Sequence, residues 1–324
     1  MASGLFVVTG GSTGLGLHAA LTLAAQGATV VIAARSAGPL AAAVERANAA
    51  GAAAGGTAVG LPLDLSSLAD VTRFAGELLA KFPGREVQGL LLNAGINTRK
   101  FGWSADGVEM TWATNHLGHA VLAQLLLPHM AASGRILVTS SGTHDPAVKA
   151  PLPEPKYGSP AEVAMLRSDL GGVPPASFDG GLAYTRSKLC NLLFTYHLAR
   201  RLAADGSGVT VNGYDPGFCP DTELAKEIPG VVRGLFRVMV PLYMRLVGSP
   251  QRPSTAAASG AFMARLGSDA EFVGVSGRYF SIAAEEPSSP ASRDEARQDE
   301  MAAYTQGLLA ALAGGGGAAA TTAT

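Results

Sequence analysis

A tyrosine and a lysine four residues apart, Tyr184 and Lys188, have the types and spacing that fit acid–base chemistry. On a helix, residues four apart lie on one face, one turn from each other. A free tyrosine has a pKa of about 10 and is a poor acid at neutral pH, whereas a fixed ammonium nearby lowers that pKa. The pair therefore predicts a general acid for the reduction of a carbonyl group. Taken alone, the same spacing also fits an exposed helical turn.

A glycine-rich turn follows the first apolar run of the chain. Leu5–Thr9 is predicted as a strand, Gly10–Gly16 as a turn and Leu17–Gln26 as a helix. This order brings backbone N–H groups and a helix N-terminus up to a pyrophosphate. The spacing is Thr-Gly-x-x-x-Gly-x-Gly, and a surface loop is the alternative in a chain with 41 glycines. The position directly after the first strand favours nucleotide binding.

Several short motifs, in a fixed order from about Leu5 to Ile282, resemble the short-chain dehydrogenase/reductase family. They are the glycine turn Thr9–Gly16, Asp64 with Leu65, Asn93 with Ala94 and Gly95, Asn115, Ser140 with Ser141, Tyr184 with Lys188, and Pro216 with Gly217. Independent motifs in the right order are much more specific than any one of them. The resemblance implies an α/β fold, a Rossmann-type doubly wound parallel sheet with helices on both faces.

The resemblance also implies a role for each of four polar residues. Tyr184 donates a proton to the carbonyl oxygen as hydride arrives at carbon, and Lys188 lowers the pKa of Tyr184 and hydrogen-bonds the nicotinamide ribose. Ser141 holds the substrate oxygen, or else is an ordinary strand-end hydroxyl. Asn115 binds a water of the proton relay through a locally distorted helix, or else is a mid-helix asparagine bonded to backbone.

The end of the second predicted strand indicates which nicotinamide cofactor is used. An NAD-selective enzyme places a carboxylate there for the ribose 2′-OH, whereas NADP needs a cation for its 2′-phosphate. Thr29–Ala34 is followed by Arg35 and no acidic residue, so we predict NADP(H), with a solvated surface charge as the alternative for Arg35. Asp64 is expected to accept from the adenine amino group, or else to cap the helix starting near Ser67. The expected cofactor residues are Gly10, Ser12, Thr13, Gly14, Leu15, Gly16, Arg35, Asp64, Leu65, Asn93, Ala94, Gly95, Tyr184, Lys188, Pro216 and Gly217.

Apolar strands alternate with amphipathic helices along the chain, which predicts a parallel sheet covered on both faces. The expected later strands are Ala58–Leu63, Val87–Leu92, Arg135–Thr139, Val209–Tyr214 and Gly277–Ile282. The expected later helices are Leu40–Ala50, Ser67–Lys81, Gly107–Met130, Leu182–Ala204 and Ser254–Leu266. Ligands bind beyond the carboxyl ends of such strands, where Asn93, Ser141 and Pro216 fall.

The stretch Asp145–Gly181 sets this chain apart from the plainest family members, because it separates Ser141 and Tyr184 by 43 positions in the sequence. It is rich in proline, glycine and charge, which predicts an excursion rather than a core element. Retinol dehydrogenases and related carbonyl reductases have a similar insertion. Light-dependent protochlorophyllide reductases have such an insertion too. Their sequence is similar to Phe178-Asp179-Gly180 together with Ser187-Lys188-Leu189-Cys190-Asn191 in this chain.

Three functions remain open, and we place an NADPH-dependent oxidoreductase of lipophilic ketones, aldehydes or retinoid-like carbonyls first. A protochlorophyllide reductase-like enzyme is the alternative. That subgroup usually has a cysteine directly after Pro-Gly, where this chain has Phe218 and then Cys219. A catalytically inactive nucleotide-sensing scaffold is disfavoured, because all four catalytic residues are present.

Composition limits the classes of binding partner and the cellular compartment that we expect for this chain. The net charge of −1 and the lack of a basic block argue against nucleic acid. The two cysteines, Cys190 and Cys219, show no metal or disulfide spacing and fit a reducing compartment. His116 and His119 lack a third ligand, so packing is expected and no metal is predicted. No signal peptide or transmembrane run is visible, which predicts a cytoplasmic enzyme.

We expect one domain over residues 1–312, with an insertion at 145–181, a substrate lid at 218–252 and a disordered Gly/Ala/Thr tail at 313–324. Val231–Val247 is apolar with two arginines on one face, which favours the lid but leaves peripheral membrane contact open. Many family members pair through the helix that carries Tyr184. The excursion enters at the start of that helix, so we predict a monomer in which it packs beside Leu182–Ala204.

Overall fold

An eight-stranded sheet with helices on both faces forms the centre of the protein. The computed structural model describes residues 4–172, 177–222 and 239–313. The strands are β1 (Leu5–Thr9), β2 (Thr29–Ala34), β3 (Thr57–Pro62), β4 (Val87–Leu92), β5 (Met130–Thr139), β6 (Thr210–Asp215), β7 (Tyr279–Ser281) and β8 (Ala284–Glu285). Their order is β3-β2-β1-β4-β5-β6-β7-β8, parallel except for the antiparallel pair β7 and β8. The predicted doubly wound Rossmann-type fold is confirmed.

The helices follow the strands, as the alternating pattern predicts. They are α1 (Gly14–Ala25), α2 (Ala37–Gly51), α3 (Leu68–Lys81), α4 (Met110–Trp112), α5 (Gly118–Leu126), α6 (Pro160–Ala164), α7 (Gly180–Ala204), α8 (Ala256–Ser268) and α9 (Glu295–Ala313). A π-helical turn, Ala113–Leu117, joins α4 to α5. The predicted helix Gly107–Met130 extends too far at its C-terminal end. A 3-10 turn that contains Pro128 ends the helix, and β5 begins at Met130.

Alternate side chains of β1 point to opposite faces of the sheet and enter two separate cores. Leu5 and Val7 pack with residues of α3, α5 and α7. Phe6 and Val8 pack with residues of α1, α2 and α8. All four side chains are buried, which explains why β1 is a continuous apolar run rather than an alternating one.

A third core covers the outer side of α7. It joins Val163, Ala164 and Leu166 of the excursion to Leu189, Cys190 and Leu193 of α7 and to Met301 and Leu308 of α9. The excursion therefore packs beside α7, as expected from the sequence. The helix α9 was not predicted, because its buried positions Gln298, Met301, Thr305 and Leu308 have helical spacing but are half polar.

The lid and the tail are described only in part. The structure does not describe residues 223–238 and 314–324. Part of Val231–Val247 and most of the predicted tail therefore lie outside the described residues. The described part of the lid includes a helical run at 239–246. No helix within the described ranges is long and apolar enough to cross a membrane. The cytoplasmic location stays a prediction.

Candidate active site

A cavity of about 630 Å³ lies beyond the carboxyl ends of β1, β4, β5 and β6. Of the predicted site residues it is lined by Gly10, Ser12, Thr13, Gly14, Leu15, Arg35, Asp64, Leu65, Asn93, Ala94, Gly95, Ser141, Tyr184, Lys188, Pro216 and Gly217. Gly16 and Asn115 do not line the cavity. The structure therefore brings nearly all of the sequence-predicted site residues together at one edge of the sheet.

The glycine turn has the shape of a phosphate cradle. Gly10 and Gly14 have φ values of 63° and 54°, a region that L side chains rarely adopt. A Cβ on Gly16 would lie 2.5 Å from the carbonyl oxygen of Gly10. Helix α1 begins here without a side-chain cap and without an acidic residue in its first turn. Its N-terminal N–H groups are thus left for an anionic ligand, which fits a dinucleotide pyrophosphate.

The motif Asn93-Ala94-Gly95 ties the end of β4 to the glycine turn. The side chain of Asn93 donates to the carbonyl oxygen of Thr9 (2.9 Å), and the backbone N–H groups of Asn93 and Ala94 donate to the Thr9 hydroxyl (2.9 and 3.0 Å). The ring Nε2 of His119 lies 2.9 Å from the same hydroxyl. Burial lowers the pKa of His119 to about 3, so this histidine is a neutral packing residue.

Tyr184 and Lys188 project from one face of α7 into the same wall of the cavity. The Lys188 Nζ lies 5.6 Å from the centroid of the Tyr184 ring and donates to the carbonyl oxygen of Thr139 (3.2 Å). Ser141, at the end of β5, faces the phenol and hydrogen-bonds it. Both Tyr184 and Lys188 are almost fully buried.

Burial dominates the protonation of this pair. It raises the pKa of Tyr184 well above its ordinary value, against a smaller lowering from the Ser141 hydrogen bond. The lowered pKa predicted from the Tyr–Lys spacing is therefore wrong for this arrangement, because desolvation of the phenol is the largest influence on that pKa. Burial also lowers the pKa of Lys188 to about 8. At neutral pH, Tyr184 is thus a protonated phenol and Lys188 is largely an ammonium.

Asn115 lies in the π-helical turn, so the predicted local distortion of this helix is confirmed. Its side-chain oxygen accepts from the N–H of Ile96 (2.8 Å). Its amide nitrogen donates to the carbonyl oxygen of Ile96 (2.9 Å) and to the Ser187 hydroxyl (3.0 Å). Single π-helical turns inside α-helices are often found at functional sites. The water assigned to Asn115 stays a prediction.

Arg35 and Asp64 lie at the far end of the cavity from Tyr184. Arg35 is exposed at the end of β2, and within the described ranges its guanidinium has no ion-pair partner. The Asp64 carboxylate accepts from the N–H and hydroxyl of Ser66 (2.9 and 2.7 Å). The helix α3 is capped by Ser67, whose hydroxyl accepts from the Asp70 N–H (3.3 Å). The capping role considered for Asp64 is therefore wrong.

Comparison with known proteins agrees with this geometry. The family described as short chain dehydrogenase matches residues 5–150. Retinol dehydrogenase 14 of Homo sapiens is 34% identical over 304 residues, which cover 89% of this chain and 81% of that protein. The chain belongs to the short-chain dehydrogenase/reductase family. Protochlorophyllide reductase of Avena sativa is 37% identical over 261 residues, covering 74% of this chain and 78% of that protein.

Solved structures of similar proteins have the same fold. An uncharacterised protein from Mycobacterium paratuberculosis superposes with a TM-score of 0.62 at 27% identity, covering 95% of this chain and 93% of that one. The RhlG/NADP complex of Pseudomonas aeruginosa superposes with a TM-score of 0.62 at 22% identity, covering 87% and 95%. At 22% identity the second likeness shows the fold alone.

Residues of the excursion and of the predicted lid also line the cavity of this short-chain dehydrogenase/reductase. Ala150, Pro151 and Leu152 come from the excursion, and Phe218, Val240, Met244 and Gln251 come from the lid. Most of this wall is apolar. On the outside of the 239–246 helical run, Met239, Leu242, Tyr243 and Leu246 are exposed. Peripheral membrane contact at this surface stays a prediction.

Sequence reasoning missed several polar residues that line the cavity, among them Thr222 and Gln251. Thr222 covers the glycine turn, because its side chain would lie 3.7 Å from a Cβ on Gly14. Gln251 faces Gly142, the residue after Ser141. Because Thr222 follows the Pro-Gly pair closely in the sequence, its position could have indicated that it lines the cavity. Gln251 lies in a proline-flanked loop, where no pattern marks it.

Proposed function

We propose that this protein is an NADPH-dependent oxidoreductase that reduces a lipophilic carbonyl compound to an alcohol. The observation that carries the proposal is the convergence of Ser141, Tyr184 and Lys188 on one wall of a cavity that reaches Arg35 at its other end. NADPH would supply a hydride to the carbonyl carbon. The Gly10–Gly16 cradle and the uncapped start of α1 fit the cofactor's pyrophosphate.

The chain's own residues perform the proton chemistry. Tyr184 is a protonated phenol at neutral pH, which is the form that must donate to the carbonyl oxygen. Ser141 positions that oxygen beside the phenol by hydrogen bonding. The Lys188 ammonium stabilises negative charge that develops on the phenol oxygen as the proton leaves. One hydride and one proton convert the carbonyl to an alcohol, and Tyr184 regains its proton from solvent through the Asn115 region.

The substrate class follows from the wall that faces this catalytic group. Leu152, Phe218, Val240 and Met244 line it, so the binding energy of a substrate comes mainly from buried apolar area. Consumption of NADPH measured against a panel of ketones, aromatic aldehydes and retinal tests the proposal. Failure to reduce any carbonyl in the panel would reject it.

A protochlorophyllide reductase-like activity is the second candidate. Its support is the 37% identity to the Avena sativa enzyme and the presence of Cys219 on the cavity wall. Burial raises the pKa of Cys219 to about 11, so its thiol is neutral at pH 7. Reduction of protochlorophyllide in light but not in dark, together with no dark reduction of the carbonyl panel, would favour this candidate over the first.

Arg35→Ala should raise the KM for NADPH about tenfold to a hundredfold and leave the KM for NADH nearly unchanged. The guanidinium is the exposed cation at the end of β2, and a charge-assisted phosphate contact contributes about 1.5–3 kcal/mol. Steady-state kinetics with both cofactors measure this. Arg46→Ala, on the neighbouring helix α2 and outside the cavity, is the matched control. A wild-type enzyme that uses NADH as well as NADPH would contradict the cofactor assignment.

We also propose that the protein is a monomer. Met301 and Leu308 of α9 and Val163 of the excursion already cover Leu189 and Leu193 of α7. Relatives of the family that pair through this helix need that surface free. We therefore expect light scattering at micromolar concentration to give the mass of one chain, 32.8 kDa. A dimer or tetramer mass would contradict the proposal.

A further inference from the structure

His144, three residues after Ser141, is a buried histidine whose two ring nitrogens are both hydrogen-bonded. It is only 2% exposed and does not line the cavity. Its Nδ1 lies 2.7 Å from the carbonyl oxygen of Ser141, and its Nε2 accepts from the backbone N–H of Ser289 (3.0 Å). The ring also packs edge-on against Tyr279 of β7, with 5.2 Å between the ring centroids. One side chain therefore joins the turn after β5 to a segment 145 positions further along the chain.

These two partners fix the protonation of the ring. A carbonyl oxygen only accepts a hydrogen bond and a backbone N–H only donates one, so Nδ1 carries the proton and Nε2 presents its lone pair. Burial lowers the pKa of His144, although the bond to Ser141 and the carboxyl groups of Asp145 and of Asp215, the last residue of β6, act in the opposite direction. His144 is therefore a neutral imidazole with its proton on Nδ1.

The bond to Ser141 holds the start of the turn that carries this serine. The 3-10 turn Gly142–His144 follows Ser141 directly, and the Ser141 carbonyl oxygen also accepts from the backbone N–H of His144 (3.1 Å). The hydroxyl of the same serine accepts from the N–H of Thr143 (3.3 Å) and hydrogen-bonds the Tyr184 phenol. The orientation of the Ser141 hydroxyl toward the phenol thus depends on how this turn is held.

The segment around Ser289, between β8 and α9, is itself anchored by buried polar groups. The Ser292 hydroxyl donates to the Ser289 carbonyl oxygen (2.7 Å), and the Gln298 side chain of α9 donates to the Ser292 carbonyl oxygen (2.9 Å). Arg200 of α7 donates in turn to the side-chain oxygen of Gln298 (3.2 Å). Ser289, Ser292 and Gln298 are each at most 3% exposed. A buried polar network whose members are satisfied rigidifies the structure around it, so α9 is connected to the position of Ser141.

We propose that His144 is a positioning residue, which holds Ser141 in place by tying its turn to the C-terminal segment 288–298. The effect on catalysis rests on the carbonyl reductase function proposed above, whereas the tautomer of His144 and the anchoring of the turn are properties of the protein itself. A residue outside the cavity acts on the rate in this way when it sets the geometry of a group that contacts the substrate.

The tautomer of His144 can be measured without turnover. The chain has six histidines, so ¹⁵N-labelled histidine gives a small set of ring signals, and His144→Asn identifies the signal of His144 by its loss. At neutral pH the NMR spectrum of the wild type should show a protonated Nδ1 and an unprotonated Nε2 for this ring. A protonated Nε2 would overturn the proposal, because the Ser289 N–H would then have no acceptor on His144.

Two substitutions separate the two bonds of the ring. His144→Asn keeps a donor at the δ position for Ser141 and loses the acceptor for Ser289, whereas His144→Gln keeps an acceptor at the ε position and loses the donor at the δ position. Because both bonds are needed to hold the turn, each variant should lower kcat per folded enzyme about tenfold to a hundredfold and leave the Kd for NADPH nearly unchanged. Tyr196→Phe is the matched control and should keep the wild-type kcat, since the Tyr196 hydroxyl contacts Ser288 of the same segment (2.6 Å) but not His144.

The decisive value is the kcat of His144→Asn. A wild-type kcat in this variant would overturn the proposal, because the link to the C-terminal segment would then be dispensable. An equal loss in Tyr196→Phe would also overturn it, because general loosening of the segment would account for the effect. If thermal unfolding shows that His144→Asn is not folded at the assay temperature, His144→Gln takes its place, and a wild-type kcat there has the same meaning.

A wild type that reduces no carbonyl would reject the proposed function without deciding the role of His144. Hydrogen exchange at the Asp145 N–H, which donates to the Gly142 carbonyl oxygen within the turn (3.0 Å), decides it instead. This exchange should be faster in His144→Asn than in both the wild type and Tyr196→Phe. Equal exchange in all three proteins would show that His144 does not hold the turn.

Discussion

Tyr184→Phe should lower kcat for carbonyl reduction about a hundredfold or more while leaving NADPH affinity nearly unchanged. The substitution removes only the phenol oxygen, which is the proton donor in the proposed reaction. The ring stays, so the packing of this nearly buried side chain is kept. Steady-state kinetics on the best carbonyl substrate and fluorescence titration with NADPH measure the two effects separately.

Tyr196→Phe is the matched control for this experiment. Tyr196 lies on the same helix, and its hydroxyl is 2.6 Å from the Ser288 hydroxyl, but it does not line the cavity. Loss of this one hydrogen bond should cost stability of about 1 kcal/mol and leave kcat unchanged. Dark carbonyl reduction by Tyr184→Phe at a near wild-type rate would remove the basis of the mechanism.

The central part of the fold was predictable because its strands are buried on both faces. Val30–Ala34 and Leu90–Leu92 are continuous apolar runs, and short connections with glycine separate them from the helices. Such runs leave few alternatives to a parallel sheet. The motifs at the carboxyl ends of these strands then converge because parallel strands end at the same edge. The predicted positions of Ser141, Asn93 and Pro216 followed from that one rule.

The elements outside the sheet were harder to predict, since tertiary contacts rather than local pattern stabilise them. The helix α9 buries Gln298 and Thr305 next to Met301 and Leu308, so its sequence has no clear apolar stripe. The Gln298 side chain is satisfied by the carbonyl oxygen of Ser292 (2.9 Å), a contact that no periodicity reveals. The excursion likewise contributes core residues although its composition is typical of a loop.

Protonation states were the least predictable property of the site. The spacing of Tyr184 and Lys188 gives their proximity, but the burial of both groups decides their pKa values. The residues that surround the pair, such as Thr139, Ser141 and Met244, are distant from it in sequence. Asp215 shows the same limit, because its partners Gly142 and Ser281 come from other strands.

Lys188→Met should lower kcat about a hundredfold or more and raise the Kd for NADPH about tenfold. Methionine fills nearly the same space, so the substitution removes the charge and the donor without opening a cavity. The lost ammonium no longer stabilises charge on the phenol oxygen of Tyr184. A lost charge-assisted hydrogen bond to the cofactor ribose contributes about 1.5–3 kcal/mol to the binding defect.

The pH profile provides the decisive readout for Lys188. Burial places its pKa at about 8, so the ammonium is present below that pH and is lost as pH rises through it. Wild-type reduction should therefore be fastest below about pH 8 and fall above it, whereas Lys188→Met should lack this limb. Lys100→Met, an exposed lysine outside the cavity, should keep both the rate and the limb. A Lys188→Met enzyme that retains the wild-type limb would show that another group titrates there, and the role assigned to the ammonium would be wrong.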